Sequence, residues 1–161
     1  MIGDRQEGRV RALVKTKAAP GLELVDVPKP SAGPGQVVVR VLATSLCGTD
    51  NHIYRWDEWA QGRIHPPRII GHELCGEVVE AGPGVAAVAV GDYVAAESHI
   101  TCAVCFQCRT GNAHVCKNYR ILGIDEDGSY AEYAKGHVRH VVKVPDGIDP
   151  RPLLPLFPEC P

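Results

Sequence analysis

The chain has 161 residues with 17 basic and 19 acidic side chains, a formal net charge of −2 and 45% hydrophobic residues. This length allows one domain, or one large domain with an appendage, and the balanced charge argues against a nucleic-acid binder, which needs a concentrated positive field. The longest uninterrupted apolar run, residues 85–90, is far shorter than the ~20 residues that span a bilayer, so no membrane association is expected.

The beginning of the chain and its cysteines indicate the compartment. Residues 1–5 carry charge at once and no apolar segment follows them, so we expect no secretory signal and a cytoplasmic protein. Seven cysteines are present, and four of them fall within residues 102–116. In a reducing compartment such clustering indicates metal ligation rather than disulfide pairing.

Alternating and β-branched runs predict a mainly β domain. In chain order, strands are predicted at residues 10–15, 22–27, 37–44, 77–80, 93–96, 130–134 and 138–144. A short, interrupted helix is predicted after Cys47-Gly48, with Thr49 or Asp50 as its cap. Because glycine and proline turns separate the strands, the pattern favours a sandwich or a partly open barrel.

The run at residues 82–87, Gly-Pro-Gly-Val-Ala-Ala, superficially matches the glycine-rich fingerprint of dinucleotide-binding folds. That fingerprint opens the helix of a βαβ unit, whereas here another β-like run and the turn Gly91-Asp92 follow. We therefore interpret residues 82–84 as a plain turn. The sequence is expected to contain no NAD-binding unit of its own.

Four cysteines predict a metal site from their spacing alone. Cys102, Cys105, Cys108 and Cys116 form a C-x2-C-x2-C-x7-C pattern, which lets one loop place four thiolates around a tetrahedral zinc ion. Scattered buried cysteines explain the pattern poorly, because the neighbouring side chains are polar. A zinc ion with four protein ligands has no open position, so a structural role is expected. An iron–sulfur cluster uses the same ligands but implies redox partners, of which the sequence shows no trace.

A second group of metal-ligating side chains consists of Cys47 and the pair His72-Glu73. Thiolate, imidazole and carboxylate together are typical of a catalytic zinc that keeps one position open. Only folding can bring these distant residues together. A single buried cysteine and a core histidine are the alternative explanation.

Several segments together resemble the zinc-dependent medium-chain alcohol dehydrogenases. They are Cys47-Gly48-Thr49-Asp50, Gly71-His72-Glu73, residues 76–92 and the four-cysteine loop, in that order. The resemblance covers roughly residues 10–149. The eight residues 52–59, together with residues 99–102, look most like the threonine dehydrogenase branch of the family.

The resemblance implies a GroES-like catalytic domain at residues 1–149, a partly open β-barrel with few short helices and a structural zinc lobe at residues 98–120. It implies a zinc ion on Cys47, His72 and Glu73 that polarises a substrate hydroxyl before hydride passes to NAD. It also assigns Thr49 and His52 to a proton relay, for which a helix cap and an exposed surface position are the respective alternatives. In the threonine enzymes, the position of His99 suggests that it lines the substrate pocket.

Residues 150–161 depart from the family. Five prolines rule out a regular helix there: Pro150, Pro152, Pro155, Pro158 and Pro161. The family usually has a helix here with an acidic residue near the metal, but Phe157 stands at about that place and Glu159 lies two positions away. A proline-rich irregular tail and a partly filled catalytic zinc site are therefore expected. The Rossmann domain is absent from the sequence, so a truncated, frame-shifted or naturally fragmentary member is expected.

These features favour the catalytic part of a zinc-dependent, NAD-linked alcohol oxidoreductase that oxidises a secondary alcohol of the threonine type. The chain by itself is expected to be inactive because the NAD domain is missing. A polyol or simple alcohol dehydrogenase fragment and a non-catalytic, zinc-stabilised β module are the alternatives, whereas the charge disfavours a zinc-ribbon nucleic-acid binder. Expected partners are a small alcohol and, through an exposed apolar face, a second copy or a separate chain.

Overall fold

The structure, a computed structural model, describes residues 8–149. Its elements are β1 (Arg9–Lys15), β2 (Glu23–Pro28), β3 (Gln36–Thr44), α1 (Gly48–Arg55), α2 (Glu58–Arg63), β4 (Arg68–Ile69), β5 (Leu74–Ala81), β6 (Tyr93–Ala96), β7 (His99–Ile100), α3 (Phe106–Arg109), β8 (Arg120–Ile121), β9 (Tyr133–His137) and β10 (Val141–Lys143). Two 3₁₀ turns, Ala113–Val115 and Val138–His140, complete the described part. Strands dominate, as the sequence predicts.

The strands form three antiparallel sheets. The largest has the order β10-β6-β5-β3-β9, a second has the order β2-β1-β4, and β7 pairs with β8 alone. Between the two larger sheets, the Leu13 N–H donates to the Tyr130 carbonyl at 2.7 Å and the Glu132 N–H donates to the Arg11 carbonyl at 3.1 Å. These bonds continue the hydrogen-bonded surface from β1 to the segment before β9. The result is a curled, partly open barrel, which confirms the predicted fold class.

Two apolar clusters form the main core. The larger cluster lies on the five-stranded sheet and comprises Val37, Val39, Leu74, Val78, Val88, Val94, Leu122 and Ala134. The second lies beneath the two longer helices and comprises Ile53, Ala60, Ile64, Ile70 and Ile124. Because Ile53 is fully buried on the inner face of α1, burial of this side chain fixes the helix against the barrel.

The helical segment differs from its prediction. α1 ends at Arg55, and its C-cap residue, Trp56, adopts the left-handed backbone conformation (φ 58°, ψ 45°). A second helix, α2, then begins, with the Asp57 carboxylate accepting the Ala60 N–H at 3.1 Å. The sequence prediction missed α2, because its six residues give too short a pattern to show a helical period.

Three predicted strands are wrong in their bounds. The strand predicted at residues 77–80 begins earlier, because β5 runs over Leu74–Ala81. Residues 130–134 are extended only from Tyr133 onward, and residues 138–144 begin with a 3₁₀ turn before β10. In that turn the His137 imidazole accepts the Arg139 N–H at 3.2 Å, which redirects the chain toward β6. The alternation of apolar and polar residues shows neither the late start of β9 nor the 3₁₀ turn before β10. Residues 82–84 lie at a turn that is followed by β6 and not by a helix, as predicted.

No helix within residues 8–149 is both long enough and apolar enough to cross a membrane. The predictions made for residues 1–5 and for the proline-rich tail at 150–161, including Phe157 and Glu159, lie outside the described residues.

Candidate metal centres

The end of β3 and the start of α1 position Cys47. Cys47 is the N-cap of α1, with extended backbone angles (φ −107°, ψ 163°). Its N–H donates to Asp50 Oδ2 at 2.9 Å, which satisfies one of the donors that a helix start leaves open. The cysteine is thereby held rigidly at the helix end, with its sulfur partly accessible.

His72 and Glu73 enter the same region from the segment that leads into β5. Both are buried, with 7% and 8% of their surfaces exposed. The preceding Gly71 has a φ of +89°, and a Cβ there would lie 2.3 Å from the Tyr130 ring. Only glycine fits this left-handed and crowded position, so the chain can turn sharply and direct both following side chains toward Cys47.

The three predicted ligands of the second site converge. The ligand atoms of Cys47, His72 and Glu73 all lie within 4.8 Å of one another. His72 Nε2 is 3.6 Å from Glu73 Oε1, close to the ~3.4 Å that separates two light ligand atoms of a tetrahedral zinc ion. A thiolate, an imidazole and a carboxylate suit zinc and leave a fourth position open.

The far side of His72 also fits a metal ligand. His72 Nδ1 lies 3.9 Å from Asp50 Oδ1, and both are buried atoms without a hydrogen-bond partner among the described residues. Histidine ligands usually donate their second N–H to a carboxylate, which fixes the tautomer and the ring orientation. A small movement of the imidazole would complete that bond and leave Nε2 directed at the metal position.

Asp50 and Glu73 are held by further hydrogen bonds. The Ser45 hydroxyl donates to Glu73 Oε2. The Tyr130 hydroxyl lies 2.8 Å from Asp50 Oδ2 and 2.8 Å from the Ser45 carbonyl. Burial, with the adjacent Asp50 carboxylate, raises the pKa of Tyr130 well above its ordinary value, so the phenol remains a donor at neutral pH.

The two predicted relay residues lie on the first two turns of α1. Thr49 Oγ1 is 3.7 Å from the Cys47 sulfur. His52 is about half exposed, and its Nδ1 contacts the Asp57 carboxylate. The hydrogen bond from His52, with the Ala60 N–H, lowers the pKa of Asp57. Thr49 therefore borders the metal position, whereas His52 lies at the solvent end of the same helix.

The four-cysteine loop has the geometry of a tetrahedral thiolate site. The sulfur of Cys105 lies 3.5 Å from that of Cys108 and 3.8 Å from that of Cys116, and Cys116 lies 3.5 Å from Cys102. Zinc–sulfur bonds of ~2.3 Å imply sulfur separations of ~3.8 Å in a tetrahedron. A disulfide needs ~2.05 Å, so these contacts are not disulfides.

Backbone donors surround these sulfurs. The N–H groups of Val104 and Cys105 lower the pKa of Cys102 to about 6, and the Cys108 N–H does most to lower that of Cys105. Burial raises the pKa of Cys108 to about 12. The backbone donors thus favour the thiolate form of Cys102 and Cys105, whereas Cys108 needs a cation to deprotonate at neutral pH.

Comparison with known proteins agrees with this geometry. Residues 33–146 match the model of the alcohol dehydrogenase GroES-like domain. The chain belongs to this family. An L-threonine 3-dehydrogenase from Pyrococcus abyssi is 57% identical over 139 residues, which cover 86% of this chain and 40% of that protein. The chain therefore spans about two fifths of the length of the curated relatives it matches.

Solved structures with the same fold carry the expected cofactors. A cobalt- and zinc-bound thermostable alcohol dehydrogenase from Pyrobaculum aerophilum superposes with a TM-score of 0.77 at 33% identity, covering 89% of this chain and 43% of the other. Acetophenone reductase from Geotrichum candidum, solved in complex with NAD, gives 0.76 at 31% identity, covering 92% and 43%. Zinc and NAD are thus cofactors of proteins with this domain.

Within the GroES-like domain, His99 lies on β7 at the base of the four-cysteine loop. Its ring is 5.9 Å from that of Tyr119, and its Nδ1 is 3.4 Å from the Glu97 carboxylate. Its place in a substrate pocket stays a prediction.

Sequence reasoning missed the supporting role of Ser45, Asp57 and Tyr130, and it took Asp50 only as a helix cap. Asp50 carried a usable signal, because it stands three residues after Cys47 at capping-box spacing. Tyr130 carried none, since it is 80 positions away from its partner Asp50.

Proposed function

We propose that this GroES-like domain is the substrate-binding catalytic part of a zinc-dependent, NAD-linked alcohol oxidoreductase. Its substrate is a secondary alcohol of the threonine type. The observation that carries the proposal is the convergence of the ligand atoms of Cys47, His72 and Glu73 within 4.8 Å of one another. Three protein ligands leave the fourth position of a tetrahedral zinc ion to substrate. The similarity to a protein named L-threonine 3-dehydrogenase supports the choice of substrate.

In this proposal Cys47, His72 and Glu73 hold a zinc ion, which supplies Lewis acidity to the substrate hydroxyl. Thr49 Oγ1, next to the Cys47 sulfur, accepts the proton of that hydroxyl and passes on its own, because a threonine hydroxyl both accepts and donates. Buried Asp50 holds the His72 ring in place. The chain thus binds and orients the alcohol and removes one proton.

His52 delivers that proton to solvent. Its imidazole is about half exposed, so it can pass a proton to water. Asp57 contacts Nδ1 and thereby favours the tautomer whose Nε2 accepts a proton. Because Thr49 and His52 lie three residues apart on one helix, they share a face of α1.

The four-cysteine loop is assigned a zinc ion with a structural role. Four sulfurs fill its coordination, so no position is left for substrate. We propose unit boundaries of 1–149 for the domain and 98–120 for this zinc lobe, which β7 and β8 close at its base. A cytoplasmic location is supported by the six cysteines within residues 8–149, none of which forms a disulfide.

We further propose that residues 8–149 by themselves bind NAD weakly or not at all. Hydride transfer needs the nicotinamide held at ~3–3.5 Å from the alcohol carbon, and such positioning accounts for ~7–11 kcal/mol of barrier. Dinucleotide folds obtain it from a helix whose N-terminus meets the pyrophosphate. The turn at residues 82–84 opens no helix, because β6 is the next element along the chain.

A partner surface completes the proposal. Leu46, directly before Cys47, is 82% exposed, and in the zinc lobe Phe106 is 76% exposed. Large apolar side chains at such exposure favour association with another chain or a second copy of this one. Size measurement at several protein concentrations tests association with a second copy, and a monomer at all of them refutes that form of the proposal.

A chimera tests the enzymatic proposal. Residues 8–149 replace the equivalent part of the Pyrococcus abyssi relative, and NAD reduction is followed with L-threonine, a polyol and a simple secondary alcohol. We expect turnover with L-threonine, and its loss in the Cys47→Ala chimera, because the metal loses its sulfur ligand. Preference for the polyol would favour the alternative dehydrogenase. A folded, zinc-loaded chimera that oxidises none of the three would favour a non-catalytic zinc module.

A further inference from the structure

The segment between the zinc lobe and β9 places a tyrosine hydroxyl next to the Cys47 site. The Tyr130 oxygen is 2.8 Å from Asp50 Oδ2 and 2.8 Å from the Ser45 carbonyl. Its ring packs at the edge of the helix-side core with Ile53 and Ile70. The ring packing and these two acceptors therefore fix the position of the hydroxyl.

The Tyr130 hydroxyl contacts the carboxylate of Asp50. The Asp50 side chain is buried, and Oδ2 receives both the Cys47 N–H at 2.9 Å and the Tyr130 hydroxyl. These two donors hold the carboxylate so that Oδ1 faces His72 Nδ1. Without the hydroxyl, the carboxylate keeps one anchor on Oδ2 and is free to rotate away from the imidazole. A buried carboxylate that loses a donor also pays for its desolvation.

The Tyr130 ring also contacts the backbone that carries His72. A Cβ on Gly71 would lie 2.3 Å from one ring carbon and 2.7 Å from the next. The Ser129 hydroxyl, one residue earlier, donates to the Glu73 carbonyl at 3.0 Å. The segment around Tyr130 thus packs directly against the backbone of both buried ligands.

We propose that the Tyr130 hydroxyl is a positioning group for the metal centre, acting through Asp50 on both Cys47 and His72. This rests on the proposed metal site of Cys47, His72 and Glu73. The proposal assigns Tyr130 no contact with substrate. Its removal is expected to weaken metal binding at this site and to leave the four-cysteine site unchanged.

The experiment uses the full chain loaded with Co²⁺, whose visible spectrum distinguishes a site with one sulfur ligand from a site with four. Chelator competition measures both affinities in the same molecule. Tyr130→Phe keeps the ring over Gly71 and deletes only the hydroxyl. We expect about a 10-fold loss of affinity at the Cys47 site, the lower end of what partners of metal ligands contribute, and no change at the four cysteines.

Tyr133→Phe is the matched control, because Tyr133 lies three residues further on with its ring against Lys29 Nζ at 4.2 Å. It should change neither affinity. A double-mutant cycle with Asp50→Asn separates positioning from general stability. If Tyr130 acts through Asp50, adding Tyr130→Phe to Asp50→Asn costs little further affinity.

Three results overturn the proposal for Tyr130: unchanged affinity in Tyr130→Phe, equal losses at both sites, or additive losses in the cycle. A different result overturns the proposed metal site and the Tyr130 proposal with it, namely a wild-type chain that binds Co²⁺ at the four cysteines alone. The two failures are distinguishable, since only the second is visible without any substitution.

Discussion

Replacing Cys108 by serine removes one sulfur from the four-cysteine loop and tests how the zinc lobe folds. Within residues 101–119, Cys116 is the one buried residue, and the large apolar side chains of this stretch, such as Val104 and Phe106, are exposed. The lobe therefore has almost no apolar core to stabilise it. We therefore expect metal binding to supply the free energy of its folding, as in small zinc modules.

The expected loss of zinc affinity in Cys108→Ser can be worked out from the binding energy of such sites. Structural zinc sites bind with ~10–16 kcal/mol in total. The three sulfur–sulfur contacts of the loop have nearly equal lengths of 3.5–3.8 Å, so we expect each sulfur to contribute a similar share. An equal share for each sulfur corresponds to roughly a 100- to 1000-fold loss of zinc affinity when one is removed. The stability of the barrel should change little, because its two apolar clusters contain no residue of the four-cysteine loop.

The assay combines zinc content after dialysis against a chelator with limited proteolysis. In Cys108→Ser we expect one equivalent of zinc to be lost and cleavage to appear within residues 101–119. Cys75→Ala is the matched control, since Cys75 is buried between β-strands away from the loop and its substitution should leave zinc content unchanged. Wild-type zinc affinity in Cys108→Ser, or a disulfide between any two loop cysteines in the purified chain, would refute the reasoning.

Four further outcomes are expected. Ile53→Ala opens a cavity at a fully buried position and should lower the free energy of unfolding in urea by about 3 kcal/mol. The Arg63 guanidinium holds the pKa of Asp125 below its ordinary value, so the pair stabilises the fold above the unfolded pKa of ~3.9. The stability difference between wild type and Asp125→Asn should shrink as pH falls below that value toward the lowered pKa of the folded state. Gly71→Ala should cost more than about 1 kcal/mol and abolish Co²⁺ binding next to it, whereas Gly62→Ala, with open space around it in α2, should raise stability by about 0.5–1 kcal/mol.

Local sequence determined the elements that depend on near neighbours. The strand at residues 93–96 has the predicted bounds, because alternation and the adjacent glycine turn are both local signals. The four-cysteine site was predictable for the same reason: a spacing of two, two and seven residues closes one short loop, whatever the rest of the chain does. The mainly β class and the plain turn at residues 82–84 follow equally from local pattern.

The tertiary structure alone decided what surrounds Cys47. His72 lies near Cys47 because Gly71 adopts a left-handed backbone conformation, which glycine allows but does not always adopt. Tyr130 contacts Asp50, 80 positions away, because β1 pairs with the segment before β9. Such contacts depend on strand register and on the closure of long loops, which no short window of residues records. The sequence therefore determined which atoms could bind a metal, and the fold decided which of them meet and which neighbours hold them there.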